Sequence, residues 1–332
     1  MGIPHPAIMT RAQRDQEVNP PSDNNFIATM IIPAALVFFF GILFPVITGL
    51  LISFTDSSAI QGYFGKHITL VNYYELLLYG GINGRDFWQF TYQTLFFSFV
   101  AVFFEFLFGL IFALMLNKEF RGRGLARATL LIPWALPTIA SATIFRYEIF
   151  ETADSYGVVN NILILLGQRP ITFFGSDVDI IFYLPVIYPF DPFITQIPIT
   201  FTMFTAIIID VWKTTPFFSL LILAALQIVP DDLYKAADIA GASSWQKFRH
   251  ITWPLIKPGV GIALVFRVMD AIRVYDAIIV FRDESVYSMT KQAVDFWARA
   301  QEYGLASAVA VMEFLLIIFF ALIIIALTRR RT

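Results

Sequence analysis

Six long apolar runs divide the chain, at about 26–54, 87–116, 128–150, 199–229, 255–281 and 305–328. A helix needs roughly 20 apolar residues to cross the hydrocarbon of a bilayer. Each run is long enough, so the pattern predicts an all-α, polytopic membrane protein with six transmembrane helices. Pro33, Pro45, Pro133, Pro137 and Pro216 fall inside the runs. Membrane helices tolerate such prolines where neighbours or water satisfy the freed carbonyls, and kinks are expected there. The stretch 180–198, "IIFYLPVIYPFDPFITQIP", is also apolar but carries four prolines. It makes a poor spanning helix. It is expected to be an outer-face loop packed on the bundle or at the headgroup boundary, with a re-entrant hairpin as the alternative.

Between the fourth and fifth runs the pattern changes. The segment 234–258, "YKAADIAGASSWQKFRHITWPLIKP", holds Lys235, Asp238, Lys247, Arg249 and Lys257. Pro230 ends the fourth run, and Asp231 or Asp232 is placed to cap a following helix through its carboxylate. Gly241 separates two short helical stretches and permits a turn between them. Trp245, Phe248 and Ile251 recur every three residues on one face, and Pro254 precedes the fifth run. The expected product is a compact helix–turn–helix projecting from the membrane. From the residues alone, an amphipathic loop lying on the headgroups fits equally well.

Composition supports a lipid environment. The 332 residues are 58% hydrophobic and 17% aromatic, with only 14% charged, where soluble domains run near a quarter charged. With no cysteine there is no disulfide, thiolate metal site or cysteine nucleophile. His5, His67 and His250 lie too far apart to form a metal-ligand motif. Residues 1–25 are polar and Pro-rich without a basic region leading into a short apolar core, which argues against a cleaved signal peptide and for a tail. The remainder, 26–332, is the expected transmembrane domain.

Charge placement orients the chain. One set of segments carries Arg11, Arg14, Lys118, Arg121, Arg123, Arg127, Lys235, Lys247, Arg249, Lys257, Arg329, Arg330 and Arg331, thirteen cations in all. The other set carries six: Lys66, Arg85, Arg169, Arg282, Lys291 and Arg299. Positive charge accumulates on the cytoplasmic side, so both termini and the 230–258 segment are expected to be cytoplasmic.

That segment resembles the EAA loop of binding-protein-dependent ABC importer permeases. The matching residues are Ala236, Ala237, Gly241, Ala242, Ser243, Ile251, Pro254, Lys257 and Pro258, preceded by "ALQIVPDDLY" at 225–234. The likeness extends through "NKEFRGRGLAR" (117–127), "LLIPWALP" (130–137), "VWKTTPFFSLLIL" (211–223), "FRVMDAIRVYD" (266–276) and "YGLASAVAV" (303–311). It is nearest to the maltose/trehalose/glycerol-phosphate class of sugar permeases, on the MalF-like side of the pair. Two positions depart from the pattern: Lys235 stands where the family has its acidic residue, and Ala240 where an Asp precedes the glycine. Asp238 offers a partial replacement for that charge.

The resemblance implies a type I ABC importer permease fold in the bacterial plasma membrane, with 230–258 as the coupling loop. It implies a second permease subunit, two nucleotide-binding ATPase subunits and an extracytoplasmic solute-binding protein as partners, besides membrane lipid and without nucleic acid. ATP and Mg would be bound by the ATPase subunits, with no cofactor in this chain. No G-x-x-x-x-G-K-[ST] motif occurs, and no catalytic constellation is visible, so the chain is expected to transport rather than catalyse.

Ionisable groups inside spans are costly and usually face a cavity or a partner. Arg267, Asp270, Arg273 and Asp276 step by three along the fifth run, with Arg267–Asp270 and Arg273–Asp276 as expected pairs. They form either a ladder that binds this span to the bundle or a polar wall of the translocation path. Asp210 and Lys213 flank Trp212 in the fourth run, a packed aromatic or a platform for a sugar ring. Glu105 and Glu313 are expected to make helix–helix hydrogen bonds, and Arg146 with Glu148 to form a gate pair or interfacial anchors. Sparse charge along the spans suits a neutral sugar or sugar-like osmolyte. The competing function is a gradient-driven secondary transporter or channel that uses the charged face of the fifth span.

Overall fold

The computed structural model describes residues 23–151, 157–175, 178–281 and 285–329. Residues 1–22 of the expected tail, including Arg11 and Arg14, lie outside the described residues, as do Arg282, Arg330 and Arg331. The chain divides into two compact units, Met1–Leu51 and Ile52–Thr332. In the first, helix α1 (Asp23–Phe38) continues through a π-helical turn (Phe39–Leu43) into α2 (Phe44–Ile52). The wide turn falls just before Pro45, which has no N–H to give an ordinary helical bond.

The second unit begins with α3 (Val71–Leu77) and the long α4 (Ile82–Asn117). A broken span follows: α5 (Arg123–Leu130), α6 (Ile132–Ala135), then α7 (Thr138–Ile144) with a π turn at Phe145–Ile149. Next come α8 (Val158–Leu165), strands β1 (Ile180–Tyr188) and β2 (Asp191–Thr200), and α9 (Phe201–Leu226). Then α10 (Asp231–Ile239), α11 (Ser244–Lys247) and a π turn (Phe248–Thr252) lead into α12 (Trp253–Ile272). Last are α13 (Asp276–Phe281), α14 (Met289–Asp295) with a π turn at Phe296–Ala300, and α15 (Tyr303–Thr328).

Helices α4 and α9 pack along each other, and α12 packs against both and against α15. One apolar cluster holds Phe97, Ala101, Ile209 and Phe281, and a second holds Ala113, Phe218, Ile222, Ile256 and Val260 nearer the loop after α9. Lipid tails are as apolar as these side chains, so close packing rather than escape from water drives the association. Small residues permit it. A Cβ on Gly259 would lie 2.6 Å from that of Ala225 on α9, and one on Gly261 would collide with the side chain of Thr328 on α15.

Several expectations are corrected. The chain is mostly helical, in keeping with the expected class; the exception is 180–198, expected as a loop packed on the bundle, which forms most of an antiparallel β-hairpin. Its register pairs Tyr183 with Pro198 and Pro185 with Gln196. Both prolines thus sit on the same alternating set of pairs, the set whose backbone nitrogens point away from the partner strand, where no N–H is needed. Val186, Tyr188 and Ile197 are buried against Trp88 and Tyr92, and the Tyr92 hydroxyl donates to the Ile187 carbonyl at 2.9 Å. Among the described residues, four helices are long and apolar enough to cross a membrane, or five if the bent pair counts as one span. That pair bends by 86° between Arg123–Ala135 and Thr138–Ile149, at Pro137. The expected fifth span, α12, has 20 residues but carries Lys257, Arg267 and Asp270. It ends at Ile272, so the expected run to 281 is also interrupted. Asp276 opens α13 instead, where a carboxylate favours the free N–H groups of a helix start.

Candidate functional site

The candidate coupling loop is built from capping chemistry. Pro230 occupies the position before α10, and Asp231 and Asp232 lie in its first turn without a side-chain capping bond, contrary to the expected cap. They still favour the helix dipole, and Asp232 pairs with Lys235 at 2.9 Å. Gly241 ends the helix at φ +73°. Its N–H reaches the Asp238 carbonyl at 3.0 Å and that of Ala242 reaches Ala237 at 2.9 Å, the paired bonds of a Schellman stop. Ser243 starts the next helix with a capping box: Ser243 N–H donates to Gln246 Oε1 at 2.7 Å, and Gln246 N–H to Ser243 Oγ at 3.3 Å.

Two tertiary bonds tie the turn down. Lys247 Nζ meets Asp238 Oδ1 at 2.6 Å, and the hydroxyls of Tyr234 and Thr252 lie 2.9 Å apart. From Ser244 the chain is helical without interruption into α12, because the π turn, in which Trp253 N–H reaches the Phe248 carbonyl, falls immediately before Pro254. Trp245 stacks on Phe248 with ring centroids 5.7 Å apart. Both line a groove of about 810 Å³ with Leu110, Leu114 and Lys118 at the far end of α4.

Within the bundle, Arg267 is the centre of an ion cluster. It is 6% exposed and Glu105 is wholly buried. Its guanidinium forks onto Glu105, through Nε to Oε2 and through Nη2 to Oε1 at 2.9 Å. Nη2 also donates to Asp210, and Nη1 to Asp270 at 2.7 Å. Thr214 Oγ1 donates to Glu105. A planar guanidinium with donors in a fixed fork suits such a convergence of carboxylates, where lysine would not. The site joins α4, α9 and α12 at one point.

Beside the cluster lies a polar cleft of about 310 Å³. Asp210, Asp270, Arg273 and Asp276 line it, with Thr138, Tyr275, Thr290 and other residues completing the walls. Four of the seven residues expected along the path therefore converge here, and Arg267 stands directly behind two of them. The Arg267–Asp270 pair is present. The expected Arg273–Asp276 pair is not among the ion pairs of the described residues, because the helix ends between them. Lys213 does not pair with Asp210, whose carboxylate goes to Arg267. Trp212 lies instead in an apolar groove of about 700 Å³ with Phe104, Phe108, Phe204 and Pro216, its ring 5.2 Å from that of Phe145. It lies among aromatics, 40% exposed, away from the polar cleft.

Glu313 accepts a bond from Thr290 at 2.6 Å, joining α14 to α15. Arg146 donates to the Val280 carbonyl and lies 5.7 Å over the Phe174 ring, rather than pairing with Glu148. Thr214, Thr138, Tyr275 and Thr290 escaped the sequence reading, since a hydroxyl in an apolar run carries no signal of its own. Glu105 was visible as an isolated acid, but its partner lies 162 residues away. Outside the spans, Asp56 accepts backbone N–H bonds from His67 at 2.9 Å and Lys66 at 2.6 Å. Those donors, His67 foremost, hold its carboxyl below the ordinary value. No group of three or more metal-ligating side chains occurs among the described residues.

The chain resembles known transport proteins over most of its length. It is 39% identical over 254 residues to the trehalose/maltose transport system permease protein MalF of Thermococcus litoralis, covering 75% of this chain and 77% of that one. It is 30% identical over 289 residues to the trehalose transport system permease protein SugA of Mycobacterium tuberculosis, covering 86% and 82%. A crystal structure of a bacterial ABC transporter involved in the import of the acidic polysaccharide alginate shares the fold: TM-score 0.71 at 20% identity, over 97% of this chain and 100% of that one. Residues 105–332, from the buried glutamate to the C-terminus, match the binding-protein-dependent transport system inner membrane component, and the chain belongs to that family.

Proposed function

We propose that the chain is the permease subunit of an ATP-driven importer for a neutral sugar or sugar-like osmolyte, of the disaccharide, trehalose or glucosylglycerol type. The observation that carries this reading is the polar cleft in an otherwise apolar bundle. Its hydroxyls and carboxylates from α9, α12 and α14 can exchange hydrogen bonds with an uncharged polyol, and two of its carboxylates, Asp210 and Asp270, are matched by Arg267. The relatives named for trehalose and maltose support the same substrate class.

The 230–258 loop is the natural receiver for an ATPase subunit. Its exposed tip, Trp245 and Ile239, is mounted on two capped helices and runs directly into α12. Docking there would shift the bundle between inward- and outward-open arrangements. On this reading ATP and Mg bind two partner ATPase subunits, or a homodimer of one, and this chain holds no nucleotide. A second permease completes the pathway, a solute-binding protein delivers the ligand from outside, and both termini face the cytoplasm. The stretch 234–258 is then the coupling element, with Lys235 in place of the usual acid.

The test is uptake of labelled trehalose, maltose and a glucosyl-polyol by cells with and without the gene, with and without ATP depletion. Uptake of at least one should depend on both. Transport by this chain alone, driven by an ion gradient and indifferent to ATP, would overturn the reading in favour of a secondary transporter.

A further inference from the structure

A second polar pocket, of about 480 Å³, lies at the start of α4, away from the central cleft. Asp86, Gln89 and Phe90 form one wall; Tyr287, Gln292 and Asp295, with Arg299 from the π turn, form the other. The coupling-loop groove uses residues 110–118 of the same α4 region. At 1.5 Å per residue the two sites lie about 40 Å apart along that helix, at opposite ends of the bundle.

The pocket has an open hydrogen-bonding capacity that the fold does not use. Gln292 is 4% exposed, yet neither its Nε2 nor its Oε1 has a hydrogen-bond partner among the described residues. A buried amide without partners is costly, and native structures rarely keep one without use. The opposite wall offers the Gln89 amide and Asp86, whose carboxylate is in no ion pair among the described residues. The remaining charges are already matched. Asp295 takes Lys291 Nζ at 3.0 Å and Arg299 Nε at 3.1 Å, and also accepts from the Tyr287 hydroxyl. The Tyr287 ring is held between Phe90, stacked at 4.2 Å, and the Lys291 ammonium, 3.2 Å from its centroid. The result is a fixed aromatic wall flanked by amide donors and acceptors, with one unmatched carboxylate.

Such a set suits a neutral polyhydroxylated ligand. Each sugar hydroxyl both donates and accepts, as a free amide and a carboxylate require. An anion would meet Asp86; a metal cation would find too few free carboxylates. The position adds to this. Helix α14 is the partition between the two cavities: Thr290 and Val294 line the central cleft, and Gln292 and Asp295 line the pocket.

We infer that this pocket is a second saccharide subsite, one helix away from the central cleft, which receives a neutral sugar at the end of the bundle opposite the coupling loop. The inference rests on the sugar-importer reading.

The test uses the chain with its co-purified partners in lipid nanodiscs, without the solute-binding protein, probed by saturation-transfer NMR with trehalose and maltose. Sugar should bind the wild type. Gln292→Leu and Asp86→Asn should each weaken binding about three- to tenfold, the effect of one lost hydrogen bond, and raise the KM of uptake more than they lower kcat. Asp86 is only partly buried, so its variant reports even if Gln292→Leu fails to assemble. Uptake that proceeds while sugar binding is insensitive to both substitutions overturns this inference and leaves the importer reading standing. Variants that lose the solute-binding protein in a pull-down but keep sugar affinity overturn it too, by making the pocket a socket for a protein side chain. If no neutral sugar is imported at all, the importer reading falls and this inference with it.

Discussion

Replacing Arg267 tests whether one guanidinium holds three helices together. Arg267→Met keeps an unbranched apolar stem and removes all the donors. Glu105, wholly buried, then loses both arms of its fork and keeps only the Thr214 hydroxyl; Asp210 loses its guanidinium partner. Removing one member of a buried ion pair costs about 3–5 kcal/mol, because the remaining charge is left without compensation. Asp270 gives a control on the same guanidinium. Its side chain is 74% exposed, so Asp270→Asn should cost at most about 1 kcal/mol, as for a surface pair. The double variant Arg267→Met, Glu105→Leu removes the wholly buried carboxylate together with its partner and leaves Asp210, whose side chain is 13% exposed, as the one carboxylate still uncompensated, so it should recover a large part of the loss. The expected order of destabilisation is therefore Arg267→Met, well above the double variant and Asp270→Asn. Thermal unfolding of the purified complex, followed by size-exclusion fluorescence, reads it directly. If Arg267→Met is no worse than Asp270→Asn, or Glu105→Leu fails to rescue it, the cluster is not what joins α4, α9 and α12.

Three further outcomes are expected. Gly241→Val meets no neighbour within 4 Å, so its cost is the left-handed backbone, about 1–2 kcal/mol; transport should fall relative to ATPase activity in the assembled complex, with membrane yield preserved, and equal coupling would make the loop passive. Lys235→Glu breaks only an exposed pair with Asp232, so stability should move by less than about 1 kcal/mol, while the ATPase rate of the complex should change. The turn closed by Asp56 should be firm at neutral pH. Its folded carboxyl lies below the unfolded value of about 3.9, so its contribution is complete above that value and is lost as pH falls through the folded one. Amide exchange at Lys66 and His67 should accelerate over that acid range in the wild type and show no such step in Asp56→Asn.

What could be read in advance follows from how local its cause is. The helix–turn–helix at 230–258 was legible because a glycine at a left-handed position and flanking prolines act within a few residues; the expected aspartate cap did not form, and the cap that does form, at Ser243, was not foreseen. The long helices α4, α9 and α15 were legible from apolar length. The hairpin at 180–200 was not: its prolines exclude a helix, but only the register shows them on pairs that need no N–H. The break after Ile272 was hidden because a spacing of three looks the same whether or not the helix continues. The ion cluster was half visible. Arg267 and Asp270 are near neighbours in sequence; that Arg267 forks onto Glu105 depends on how α4 meets α12, which no local pattern encodes.

The close approaches at Gly259 and Gly261 have a mechanical consequence. They fix α12 between α9 and α15 at backbone distance, within three residues of chain, and so set a pivot. Arg267 lies six residues beyond Gly261, about 9 Å along the axis, and Ser244 lies fifteen residues before Gly259, about 22 Å on the other side. If a docked partner tilts the continuous helix about that point, the motion is geared down more than twofold and reversed in direction. A shift of a few ångströms at Trp245 becomes one of about an ångström at the guanidinium. That is enough to lengthen the 2.9 Å bond from Arg267 to Glu105 on α4 beyond hydrogen-bonding range, while Asp270, on α12 itself, moves with its guanidinium partner and the apolar packing around the pivot stays in contact.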